Sequence, residues 1–164
     1  MNNIRVGLFG SCGNSVYRKK FIKKYNELEI EHYNPQVEDW KPEFAQVEAE
    51  HLATDKIIVF PITSESYGLG SLSEMGFSIL NAIRLDRRRH FVVLIDSGLD
   101  SNLTDKRLIG ESIRGRELLL AHLKRLNLSD LYIVNTLDEM LEVSIALYNS
   151  EKCKESIMQY STGS

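Results

Sequence analysis

Cysteine is scarce in this chain. Cys12 and Cys153 stand far apart and form no CxxC pair. That excludes a disulfide framework and fits a reducing compartment. Positive charge is not in excess either: the net charge is -3, so no global basic field exists to hold a nucleic-acid polymer. No apolar run approaches the roughly 20 residues needed to span a bilayer. The opening MNNIRVGLFGS lacks a charged n-region of signal type. A cytoplasmic protein with neither a membrane nor a nucleic-acid polymer as partner is expected. Clustered His, Cys and Asp at ligand spacing are missing, so no metal is implied. The GxGxxG dinucleotide fingerprint is missing too, and no cofactor is called for.

What remains is ordinary in bulk. The 164 residues suit one domain with a real core, and 43% hydrophobic with 26% charged content is that of a globular protein. Short apolar runs read as strands over Ile4–Phe9, Ile30–Tyr33, Ile57–Phe60, Phe91–Ile95 and Leu131–Val134. Pro61 ends the third, whose unbroken apolar run suits a strand covered on both faces. Helical spacing follows each strand. One helix is capped by Asn14 or Ser15 and reaches about Asn26, and another starts at Pro42 and reaches Thr54. A third starts from Ser71 or Ser73 and reaches about Arg84. Asp105–Leu126 is a long helix with Gly110 and Gly115 as weak points. Thr136 caps the last, with Leu137, Met140, Leu141 and Ile145 on one side. A domain over 1–150 is expected, followed by a polar, flexible tail over 151–164. The alternation implies a five-stranded parallel α/β sheet with helices on both faces. Ligands of such sheets sit beyond the carboxyl ends of the strands.

Three loops occupy those ends. In GSCGNS, Gly10 and Gly13 flank Cys12 at a helix start. Its amides, with Ser11, Asn14 and Arg18, could hold an anion, or the glycines could serve only a turn. Cys12-x5-Arg18 also resembles the low-molecular-weight tyrosine phosphatase cradle. Lys19 stands where that family has Ser or Thr, however, and Asp130 is followed by Leu131 rather than Pro. A semi-buried thiol is the preferred reading of Cys12. In NPQVEDW, Asp39 and Trp40 could meet a planar base. On the next helix, Glu48 is the acid that could point toward the strand ends, while His51 reads as a surface or half-buried histidine. The third loop, SESYGLGSLSEMGF, places Glu74 in a first helical turn, where the helix dipole favours its ionised form. An ionised Glu there can act as a nucleophile on a sugar. Ser71-x-x-Glu74 is equally a capping box.

Taken together, GLFGSCG with Tyr17-Arg18, YNP with DW, the acidic helix ending in Asp55, and YGLGSLSEMG resemble the nucleoside 2-deoxyribosyltransferase superfamily over Val6–Ile83. The resemblance implies a flavodoxin-like, Rossmann-like three-layer fold and a covalent glycosyl-enzyme intermediate. It implies Glu74 as nucleophile and Glu48 as the carboxylate near the base. Gly10, Ser11, Gly13, Asn14, Arg18, Asp39, Trp40, Tyr67, Gly68, Gly70 and Ser71 would line the nucleoside or nucleotide. It also implies a homo-oligomer. Two positions depart from the family: Phe9 stands where many members have a tyrosine, and Ser66-Tyr67, with Glu65 nearby, stands where they have an aspartate. Tyr17 or Tyr67 would have to supply the missing hydroxyl. A ligand-binding sensor on the same cleft is the alternative to an enzyme.

Overall fold

The structure is a computed structural model and describes residues 4–11, 15–37, 39, 41–76 and 89–161. In chain order its elements are β1 (Val6–Leu8), α1 (Tyr17–Glu27), β2 (His32–Tyr33), α2 (Phe44–Thr54) and β3 (Ile57–Ile62). There follow α3 (69–76 as far as described), β4 (His90–Ile95), α4 (Lys106–Leu126), β5 (Leu131–Val134) and α5 (Leu137–Met158). All strand pairs are parallel, in the order β2-β1-β3-β4-β5. This is a flavodoxin-like three-layer α/β fold.

The apolar run of β3 serves two cores because successive side chains point to opposite faces. Ile57 and Val59 join Leu8, Phe21, Tyr25, Val92 and Met140. Ile58, Phe60 and Ile62 join Phe9, Met75, Phe91, Val93 and Leu123. The first cluster packs under α1 and α5, the second under α3 and α4.

Several boundaries differ from the sequence reading. Pro61 does not end β3 but pairs with Leu94 inside it. Its carbonyl accepts from Ser11 N at 2.8 Å, so its missing N–H faces the end of β1, where Phe9 O accepts from the Tyr17 hydroxyl instead. Gly10 makes room there: with φ +84°, it would bring a Cβ within 2.3 Å of the Pro61 carbonyl. Neither Gly110 nor Gly115 breaks α4, which is continuous from its Asp105 cap. Ser15 does not cap α1, whose first residue is Tyr17, and Asn14 lies outside the described residues, as does the end of α3. The segment 151–158 is not a loose tail. It continues α5, because Glu151 is buried in an ion cluster at the amino end of the sheet. Thr136 does cap α5: its Oγ1 accepts from Glu139 N, and Glu139 Oε2 accepts from Asn135 N.

Candidate active site

Strand order reverses between β1 and β3, and the loops leaving their carboxyl ends meet at that point. The β1 loop is held from within. Arg18, 2% exposed, donates from Nε to Leu8 O at 3.2 Å, from Nη1 to Ser11 O at 2.6 Å and from Nη2 to Gly10 O at 3.4 Å. Its face rests on the Tyr17 ring. The guanidinium thus clamps backbone rather than offering a fork to a ligand phosphate, against the expectation for a binding arginine or a phosphatase cradle. Ser11 is also turned inward. It is fully buried, and its Oγ accepts from Thr63 N at 2.9 Å. Gly13, Asn14 and Cys12 lie outside the described residues.

The β3 loop is bonded as densely. Thr63 Oγ1 donates to Glu65 Oε2 at 3.0 Å and stands 3.4 Å from Ser15 Oγ. Gly68 has φ +65°, and its carbonyl accepts the first α3 hydrogen bond, from Leu72 N at 2.8 Å. The helix therefore begins three residues earlier than the Ser71 cap would place it. Ser71 stands inside α3 and not at its cap, Gly70 lies in its first turn, and Glu74 is in the second turn rather than the first. Tyr67 is tied to α4: its carbonyl accepts from Ser112 Oγ at 2.6 Å, and its hydroxyl accepts from Asp105 N at 3.1 Å. Tyr17 gives its hydroxyl to Phe9 O. Among the described bonds both phenols engage backbone, at Phe9 O and Asp105 N.

Glu74 and Glu48 do come together electrically. Both are half-buried. Burial pushes the Glu74 carboxyl up to about 6, the Glu48 charge adds to the rise, and Arg18 opposes it. Burial also raises Glu48, again against Arg18. Desolvation thus outweighs the helix-dipole stabilisation expected of a first-turn residue, the more so because Glu74 sits beyond that turn. Asp39 is exposed, and Trp40 lies outside the described residues.

Sequence reasoning missed two features. Tyr33, at the end of β2, stacks on His51 of α2 with centroids 3.5 Å apart at 9°. His51 Nδ1 lies 3.0 Å from Oδ1 of Asp55, which is 2% exposed. Tyr33 is raised by burial and then by the charges of Glu48 and Asp55, which places it beside the acid. An open cleft of about 510 Å³ lies on this edge of the sheet, lined by Arg5, Ile30, Glu31, His32, Tyr33 and His51, away from Glu74. The second feature is Arg116. It lies on the buried stripe of α4 with Ser112 and Leu123. A charged residue on such a stripe is the signal that could have found it.

Among the described residues no three His, Cys, Asp or Glu side chains group so as to hold a metal, and no helix is long and apolar enough to cross a membrane. No protein-family model and no curated protein matches the sequence. Among solved structures, the chain is similar to the RPS4 and RRS1 TIR domain heterodimer. The TM-score is 0.55 at 9% identity, over 88% of this chain and 96% of that one. The likeness is one of fold. It agrees with the flavodoxin-like sheet and carries nothing about chemistry.

Proposed function

We propose that the chain cleaves the N-glycosidic bond of a nucleoside or nucleotide, or transfers its 2-deoxyribosyl group, through a covalent glycosyl–Glu74 intermediate. The observation that carries this reading is the pair of half-buried carboxylates at the switch point. One stands on α2 and one on α3, with Glu74 raised to about 6. Such a pair suits acid-assisted departure of a base and capture of the sugar.

Glu48 gives a proton to the base as the C1'–N bond breaks and its electron pair leaves with the base. A Glu74 oxygen bonds to C1'. Water, or a nitrogen of a second base, then attacks C1' and gives its proton to Glu48, and the Glu74 carboxylate departs. The base lies toward Glu48 and Asp39, and the 5' end of the sugar toward the loop after β1. With its carboxyl near 6, Glu74 is mostly ionised at neutral pH and more nucleophilic than a carboxylate of ordinary basicity.

The test is a chromatographic screen for free base released from nucleosides, deoxynucleotides and NAD-like dinucleotides, run on the native protein, Glu74→Ala and Cys12→Ser. Turnover by the native and Cys12→Ser proteins, with none by Glu74→Ala, is expected. Mass spectrometry should find the sugar on the peptide bearing Glu74. Binding without turnover in the native protein would make this a sensor. Release of inorganic phosphate and intact nucleoside from the deoxynucleotides, with no free base, and its loss on Cys12→Ser would favour a phosphatase. The pH profile assigns the roles: kcat/KM rising through about pH 6 marks Glu74 as nucleophile, and a fall there would exchange the two carboxylates.

A further inference from the structure

Arg116 is 1% exposed, and each of its N–H groups has a partner. Nε donates to Ser112 Oγ at 3.1 Å. Nη1 donates to Ile62 O at 3.0 Å and Asp96 O at 2.9 Å, and Nη2 to Thr63 O at 2.9 Å and Ser66 O at 2.8 Å. A guanidinium carries about five N–H donors in a rigid fork, so this one is saturated. Three of its acceptors, Ile62, Thr63 and Ser66, belong to the end of β3 and the loop beyond it. Gly68 packs on the same group, since a Cβ there would stand 3.2 Å from Nη2. Ser112, one turn earlier on α4, holds Tyr67 O. Gly115 brings α3 close, with Leu72 3.2 Å from where its Cβ would be. The backbone from Ile62 to Gly68 is thus moulded on one side chain, and α3 starts from its end.

We propose that Arg116 is the positioning residue for Glu74: from α4 it locks the β3–α3 loop and so sets where α3 begins and where the Glu74 carboxyl stands. The lock acts through backbone carbonyls, and Arg116 need not touch the substrate. Only the kinetic arm of its test rests on Glu74 being the nucleophile.

The experiment compares the native protein with Arg116→Lys and Arg116→Ala. It uses carboxyl NMR titration of Glu74, hydrogen exchange over residues 63–72 and, where base release is measurable, the split of kcat and KM. An ammonium offers about three donors, fewer than the fork it replaces. Arg116→Lys should therefore fold but exchange its loop amides about tenfold faster or more, as local opening becomes easier. Its Glu74 midpoint should fall from about 6 toward the ordinary 4.5 as solvent reaches the carboxyl. Its kcat should drop about tenfold to a hundredfold with KM nearly unchanged, as misplacement by about 1 Å would cause. Ethylguanidinium should restore the midpoint in Arg116→Ala if that variant folds. A folded Arg116→Lys with the native Glu74 midpoint and native loop exchange overturns the proposal. If no nucleoside substrate is found, the enzymatic reading fails while the titration and exchange still decide this one.

Discussion

Two glutamates at opposite ends of the same sheet lose water and respond in opposite directions. At the carboxyl end, Glu74 is raised to about 6 by burial and by the Glu48 charge, with Arg18 only partly compensating. At the amino end, burial acts in the same sense on Glu151, but hydrogen bonds from Lys154, His90 and Lys56 overcome it and bring the carboxyl down to about 2. The contacts are 2.7 Å from Lys154, 3.0 Å from His90 and 3.2 Å from Lys56. What separates the two is the set of donors around Glu151. Near Glu74 the obvious cation, Arg18, has its N–H groups on loop carbonyls and reaches the acid only through its field. Among the described residues no donor reaches Glu74 as Lys154, His90 and Lys56 reach Glu151, and a desolvated carboxylate of the first kind marks a candidate site while one of the second kind holds structure.

The sharpest way to break the comparison is to remove each carboxylate and ask what is lost. Glu74→Ala should lower turnover on the order of a thousandfold or more, while Glu151→Gln should leave turnover within about twofold. In stability the ranking inverts. Glu151→Gln should cost about 3 kcal/mol at neutral pH, since Lys56 and His90 lose the charge they share, readable as a shift in denaturant midpoint. Glu151 has a folded value below its ordinary 4.5. Its contribution is therefore present above pH 4.5 and fades as pH falls toward 2, and the gap between native and variant should close over that window.

Glu74 has the opposite sign. Its folded value is raised, so its contribution is present below pH 4.5 and lost as pH climbs through about 6. Glu74→Gln should then be more stable than the native protein above pH 6, by about 1–2 kcal/mol, and indistinguishable from it near pH 4. A melting series across these pH values would sink the comparison if both variants moved the same way. The smallest effect expected is that of Thr136→Ala. Loss of the α5 cap should cost about 1 kcal/mol and leave turnover untouched, which separates helix stability from the ion cluster at its far end.

How much of this was legible beforehand depends on the range of the forces involved. The strands centred on β3, β4 and β5 and the Thr136 cap were readable because each is coded within a few neighbouring residues. The start of α3 was not, because Ser71-x-x-Glu74 is a valid local cap that loses to one three residues earlier, held by a side chain far along the chain. Gly68, held at φ +65° against Ile62 and Arg116, nucleates the helix sooner. Arg18 was taken for a ligand group on its nearness in sequence to the glycine loop. That nearness is what lets it reach the carbonyls of Leu8, Gly10 and Ser11 instead. Glu151 was assigned to a tail because two of its three partners, Lys56 and His90, are far away along the chain.

The alternation of strand and helix, and hence a parallel sheet, follows from residues that are neighbours along the chain. Periodicity and loop composition are local quantities that survive in any correct fold. The proton affinities of Glu74 and Glu151, the inward turn of Arg18 and the five bonds of Arg116 arise only once the chain is folded. Each of these depends on which donors and carbonyls are brought within about 3 Å through space, and spacing along the chain does not encode that.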